Sequence, residues 1–205
     1  MAEVWVKTCG LRTADDVRAA EAAGADAVGF VLASSVRQVP VDLAARLAAG
    51  TALRTYAVTV DVHPDEVEGL LERAGVDGLQ PHGLHGVEAA TVAAAAGAEV
   101  LLPVPVVGPT RPGQAGQGFT ALLDTPSAGH GGSGRRFDWD LIEPDGADFV
   151  LAGGLGPDTV AEAIATVRPW GVDASSGLEA SPGRKDPAKI TAFVTAAKAA
   201  GRTSP

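Results

Sequence analysis

Short apolar runs alternating with Ala-rich amphipathic stretches predict an α/β protein, specifically a single (β/α)8 TIM barrel. Three observations point there. Strand-like and helix-like segments alternate through eight units in 205 residues, which implies a parallel sheet. That length suits the small end of the barrel fold. The glycine-rich segments also come late, at Gly153–Gly156 and after Asp173. An open doubly wound sheet, the alternative, carries its G-x-G-x-x-G after the first strand, and this chain has none there.

Val4–Thr8 reads as the first strand and Thr13–Ala23 as a helix, with Thr13 as N-cap and Gly24 as its stop. Asp26–Leu32 is a strand, Pro40–Ala49 a helix, Leu53–Val60 a β-prone run and His63–Ala74 a helix ended by Gly75. Asp77–Gln80 is a short strand and Leu84–Ala96 a helix before Gly97, with Glu99–Val104 and Ala121–Asp124 as strands five and six. Between those two lies Val107–Gly118, so rich in Gly and Pro that a loop replaces the fifth helix. A short helix near Asp138–Ile142, a strand at Asp148–Ala152 and a helix from Pro157 to Val167 follow, with Pro157 at its first position. Gly171–Ala174 is the eighth strand and Asp186–Ala200 the last helix. Residues 1–205 are expected to form one domain, with 201–205 as a frayed tail.

Composition narrows the function classes. The chain is 46% hydrophobic and 20% charged, as in ordinary globular proteins. No apolar stretch is long enough to span a bilayer. The opening residues lack a basic segment followed by an apolar one, so the expected location is cytoplasmic. A net charge of −9 argues against nucleic-acid or anionic-membrane partners, which need clustered Lys and Arg. A small anion is still compatible, because backbone N–H groups can hold a phosphate. The one cysteine, Cys9, excludes an intrachain disulfide. The four histidines show no metal spacing, and HExxH, paired CxxC and P-loop motifs are absent, so no metal or other cofactor is expected.

In a (β/α)8 barrel the active site lies at the C-terminal ends of the strands. Side chains alternate along a strand, so Lys7 and Cys9 share a face with Trp5, while Val4, Val6 and Thr8 face the helices. Cys9 then stands at the inner rim, and the Lys7 ammonium is expected to lower its thiol pKa unless a deep carboxylate neutralises it. Asp124 follows two leucines at a strand end, where desolvation raises a carboxyl pKa toward that of a general acid. Gly153 and Gly154 after strand seven, with Ser175, Ser176 and Gly177 after strand eight, suit a phosphate cradle. Arg37, in the loop after strand two, can bind a carboxylate bidentately. Gly129–Gly134 (GHGGSG) is a candidate lid.

Taken in order, several segments resemble the phosphoribosylanthranilate isomerase family. They include Val6-Lys7-Thr8-Cys9-Gly10, Leu79-Gln80-Pro81-His82-Gly83 and Leu122-Leu123-Asp124-Thr125. Gly24 to Val31, Gly131-Gly132-Ser133-Gly134 through Phe137-Asp138-Trp139, Gly153-Gly154-Leu155, Val172 to Glu179 and Pro182 to Asp186 complete the set, which covers nearly the whole chain. The resemblance implies the cofactor-free Amadori rearrangement of N-(5-phosphoribosyl)anthranilate in tryptophan biosynthesis. It implies a small phosphoribosyl substrate; a monomer is the expected state, with a homodimer as the alternative. It places the general base on Cys9 and the general acid on Asp124. Arg37 would take the anthranilate carboxylate, and Gln80, His82 and Asp173 would face the substrate.

Three positions depart from the family pattern: Thr8 replaces Ile, Pro81 replaces Leu, and strand three ends Val58-Thr59-Val60-Asp61 rather than in V-G-V-F. Pro81 puts the placing of Gln80 and His82 in question, since it lacks an N–H. Two other functions compete. A histidine-pathway type of isomerase would use two aspartates and show a half-chain repeat, and Cys9 argues against it. A silent phosphosugar-binding barrel would need neither Cys9 nor Asp124.

Overall fold

Eight parallel strands hydrogen-bond in sequence order and close into a barrel. The structure, a computed structural model, describes residues 3–126 and 137–203. The candidate lid at 129–134 lies outside the described residues. The strands are β1 Trp5–Cys9, β2 Ala27–Val31, β3 Arg54–Val60, β4 Gly78–His82, β5 Glu99–Pro105, β6 Thr120–Asp124, β7 Phe149–Leu151 and β8 Gly171–Ala174. The helices are α1 Ala14–Ala23, α2 Val41–Ala48, α3 Val67–Ala74, α4 Gly86–Ala95, α5 Val160–Val167 and α6 Pro187–Thr203. No described helix is long and apolar enough to cross a membrane.

Local chemistry explains the element ends. Thr13 caps α1 through a reciprocal capping box with Asp16, and Gly24 ends it at φ 85°. Gly75 ends α3 in the same left-handed conformation. After β5 a 3-10 turn, Pro112–Ala115, takes the place of a helix, as the Gly/Pro content implies. The expected short helix at 138–142 is likewise a 3-10 turn, Trp139–Leu141, capped by the Asp138 side chain.

Three ends differ from expectation. Helix α3 starts at Val67, because Pro64–Glu66 forms a tighter 3-10 turn first. Pro157 does not open α5, which begins at Val160. Residues 157–159 form a turn closed by Gly156 N–H donating to Thr159 Oγ1 and by Thr159 N–H donating to the Gly156 carbonyl. Helix α6 runs on to Thr203, past the expected end at Ala200. Gly201 packs so closely on Val4 that a Cβ would lie 2.7 Å from it. A two-stranded hairpin between β8 and α6, β9 Glu179–Ser181 and β10 Arg184–Lys185, is an addition. Its signal was the turn pair Pro182-Gly183, with Gly183 at φ 75°.

The pleat of β1 sorts the core. Val4 and Val6 join the large cluster between barrel and helices. Trp5 packs on a separate interior cluster of Ala27, Tyr56, Leu101, Leu122, Val150 and Ala152. Above this apolar floor β1 places Lys7, then Cys9, on the inner face. Pro81 is accommodated within β4. The strand stays in register with β3 as far as His82, and Asp61 N–H donates to the His82 carbonyl. The β4–β5 ladder, by contrast, ends at Leu79–Val100. The missing N–H therefore falls on a seam that is already open, and Gln80 and His82 keep their inward direction.

Thr8 is fully buried on the helix-facing side, and its hydroxyl has no hydrogen-bond partner among the described residues. A buried orphan hydroxyl costs free energy that an apolar isostere does not. Thr8→Val is expected to raise the unfolding free energy by about 1 kcal/mol. The check is the urea midpoint at unchanged m-value; a lower midpoint would mean the hydroxyl has a partner.

Candidate active site

The inner ends of β1, β4, β6 and β8 converge on a cavity of about 110 Å³ lined by Cys9, Arg37, Gln80, His82, Asp124 and Asp173, among others. A larger hollow of about 530 Å³ shares His82 and Asp124 with it and extends over β5 toward the turn that replaces the fifth helix. The inner-face positions inferred from strand alternation thus meet in one place.

Its base is ionic. The Lys7 ammonium, fully buried, lies 3.1 Å from Asp173 Oδ2 and donates to Gln80 Oε1 at 2.9 Å. Because an ammonium only donates, Gln80 must turn its oxygen to Lys7 and its amide to His82, 3.0 Å away. His82 Nε2 is then the acceptor, which sets the ring as the Nδ1–H tautomer. Asp173 Oδ1 is buried without a partner among the described residues, an acceptor left over on the cavity wall.

Two titratable groups take opposite parts. Burial pushes the Asp124 carboxyl up to about 6, against the lowering effect of a hydrogen bond from Thr125 N–H. That agrees with the expectation for a strand-end carboxylate after two leucines. Cys9 corrects an expectation. Burial raises its thiol pKa and outweighs the opposing pull of Lys7, part of which Asp173 offsets. Desolvation, more than the deep carboxylate, overrides the simple ammonium argument. For Lys7, burial favours the neutral amine, but Asp173 and Cys9 outweigh it and the net shift is upward.

The two glycine loops meet backbone to backbone. A Cβ on Gly177 would lie 2.1 Å from the Leu155 carbonyl oxygen, so only glycine lets the loops after β7 and β8 touch. Gly153, at φ 84°, similarly lets its loop approach Thr125 and Asp124. Among the described residues, the amides of Gly153, Gly154, Ser176 and Gly177 donate to no protein acceptor. Gly153 and Gly154 lie in a loop well before α5, whereas Ser176 and Gly177 open a short 3-10 turn, Ser176–Leu178. Ser175 differs: its carbonyl accepts from Lys185 Nζ at 2.8 Å.

Arg37 reaches the rim across Gly10, where a Cβ would lie 2.8 Å from its Cδ. Its Nε and Nη2 grip Glu179 at 2.6 and 3.0 Å. The sequence reading assigned roles to neither Glu179 nor Lys185, both buried. The available signal was their position, flanking the Pro182-Gly183 turn just after the strand-eight loop.

A carboxyl of raised pKa and a thiol lining one cavity, with unpaired amides in the loops after β7 and β8, fit a (β/α)8-barrel enzyme of the acid–base class. Comparison with known proteins narrows this. The family model described as N-(5'phosphoribosyl)anthranilate (PRA) isomerase matches residues 6–196. A curated relative of that name from Listeria welshimeri is 42% identical over 199 residues, covering 94% of this chain and 98% of the relative. The crystal structure of phosphoribosyl anthranilate isomerase from Thermus thermophilus superposes with a TM-score of 0.84 at 32% identity, covering 94% of this chain and 98% of that one. Another crystal structure of the enzyme, in complex with reduced 1-(o-carboxyphenylamino)-1-deoxyribulose 5-phosphate, has a TM-score of 0.78 at 31% identity, with 96% and 99% covered. The chain belongs to the phosphoribosylanthranilate isomerase family.

The raised Asp124 pKa has a measurable effect on stability. Folded Asp124 keeps its proton up to about pH 6, whereas the unfolded chain releases it near 3.8. Folding therefore binds a proton in that window, and this group's contribution to stability falls as pH rises through it. Asp124→Asn is expected to gain stability relative to wild type between about pH 4 and about pH 7. Urea midpoints of the two proteins across that range check it, and a constant difference would contradict the raised pKa.

Proposed function

We propose that the chain isomerises N-(5-phosphoribosyl)anthranilate to 1-(2-carboxyphenylamino)-1-deoxyribulose 5-phosphate, with Asp124 as general acid and Cys9 as general base. The observation that carries this reading is an acid poised near pH 6 and a thiol lining one cavity within the barrel mouth.

Asp124 donates its proton to the ribose ring oxygen, and the C1–O bond breaks to give an open-chain Schiff base. The C2 proton then passes to the Cys9 thiolate, leaving an enolamine. The Cys9 thiol returns its proton to C1 and the Asp124 carboxylate takes up the C2 hydroxyl proton, which gives the ketone and restores both groups. Carbon 1 is reduced and carbon 2 oxidised within one molecule, so no external redox partner takes part. A buried thiol next to a charge-compensated lysine is a weak acid, but the cationic Schiff base brings a positive charge that favours the thiolate.

The other residues hold the substrate. Arg37 keeps its Nη1 edge for the anthranilate carboxylate while Glu179 occupies Nε and Nη2. The amides of Gly153, Gly154, Ser176 and Gly177 cradle the phosphate, with Ser175 shaping that loop. The unpartnered Asp173 Oδ1 accepts from a substrate N–H or hydroxyl. Gln80 and His82 line the wall and hold Lys7 and each other in place.

Turnover is followed as loss of phosphoribosylanthranilate fluorescence. Cys9→Ser and Asp124→Asn are each expected to lower kcat by about 100-fold or more. Inactive wild type would remove the function, whereas an unimpaired Cys9→Ser would remove only the base.

The pH profile has a less obvious shape. The reactive form needs Asp124 protonated and Cys9 ionised, the reverse of their resting states near neutrality. Below about 6 Asp124 is fully protonated and the thiolate fraction grows tenfold per pH unit, so kcat/KM should rise with pH. Above about 6 the gain in thiolate is cancelled by loss of protonated Asp124, and kcat/KM should level off. A fall through this region would contradict the pairing.

A further inference from the structure

A buried carboxylate that no step of the rearrangement uses lies between the two anion-binding ends of the site. Glu179, the first residue of β9, is only 8% exposed. One face of it holds Arg37 through two hydrogen bonds. Its Oε1 also lies 3.3 Å from the Lys185 ammonium, whose side chain is 1% exposed. That ammonium in turn donates to the Ser175 carbonyl at 2.8 Å, at the root of the Ser176–Gly177 loop. A continuous path of charge-assisted hydrogen bonds thus runs from the arginine to the root of the strand-eight loop.

The hairpin that presents Glu179 is itself anchored. Lys189 Nζ donates to the Glu179 carbonyl at 2.7 Å, and Arg12 Nη1 donates to the Gly183 carbonyl at 3.1 Å. A Cβ on Gly183 would lie 2.3 Å from the Val36 carbonyl oxygen, so the hairpin tip presses on the loop that carries Arg37. A side chain so placed has one reachable position, and it sets the direction of both cations it touches.

We propose that Glu179 is a positioning residue that couples recognition of the substrate's carboxylate to recognition of its phosphate. The proposal rests on the assignment of these groups to Arg37 and to the Ser175–Gly177 loop. Its geometry is specific: Glu179 takes the Nε–Nη2 edge of the guanidinium and turns the Nη1 edge to the cavity. Through Lys185 the same carboxylate fixes the backbone from which the phosphate amides project.

Charge neutralisation and positioning predict opposite signs. If Glu179 only offsets charge, removing it leaves two cations before a substrate that carries both a carboxylate and a phosphate, and binding tightens. If it positions them, removing it loosens both ends at once.

The experiment measures three quantities on Glu179→Gln: steady-state constants, the Kd of anthranilate alone and the Kd of ribose 5-phosphate alone. KM is expected to rise about tenfold with kcat within about threefold, and both fragments are expected to bind more weakly. Tighter binding of either fragment, or weakening confined to one, overturns the coupling. If Glu179→Gln does not fold, Glu179→Asp carries the same expectation, since it keeps the charge but cannot span Arg37 and Lys185. Arg37→Ala separates the two levels of the claim. Unchanged anthranilate binding in Arg37→Ala would remove the carboxylate assignment itself. Weakened binding there, with both fragments unaffected in Glu179→Gln, would overturn the coupling alone.

Discussion

The pairing of Lys7 with Asp173 at the centre of the barrel is the interaction on which the rest of the site depends. Both groups are buried, so neither can be left alone; an uncompensated charge at such a depth costs about 3–5 kcal/mol. The pair also joins the last strand to the first, since Lys7 and Asp173 are register partners across the β1–β8 seam. It bears on the electrostatics above it, because Asp173 offsets part of the pull that Lys7 exerts on a Cys9 thiol already raised by burial. And it orients Gln80 and, through Gln80, the imidazole of His82. One ion pair thus bears on barrel closure, the resting state of the thiol and the tautomer of a histidine.

Much of this was legible in the sequence because period-two alternation and strand-end placement are local rules. Lys7 and Cys9 inward, Val4 and Val6 outward, and a desolvated Asp124 all follow from them. So does the missing helix after β5, from glycine and proline alone. What local rules could not reach was pairwise. Whether the Lys7 charge serves Cys9 or Asp173 depends on a residue 166 positions away in the chain. Arg37 looked solitary in its loop, yet its partner Glu179 lies 142 residues on. The start of α5 was misplaced for a local reason. Pro157 suits a first helical turn, but the Thr159 hydroxyl closes a tighter turn on Gly156 before the helix begins.

The glycines of the site act through contact more than through flexibility. At Gly10 the missing side chain makes room for Arg37, at Gly177 for the Leu155 carbonyl, and at Gly153 for Thr125. Each absent Cβ lets two loops from different strands touch, and the arginine and the acid so placed line one cavity. A barrel supplies strand ends in a ring, and these close approaches bring the loops inward from that ring.

A closed barrel is a hoop of ladders, and the β4–β5 seam is one of the two places where the pairing here is shortest. Above Leu79 the ladder stops, and Pro81, Pro103 and Pro105 offer no N–H with which to extend it. The open part of that seam lies beneath the larger hollow, whose lining includes Pro81, Pro103 and Pro105 themselves. In this barrel, proline both ends a ladder and furnishes the wall of the mouth.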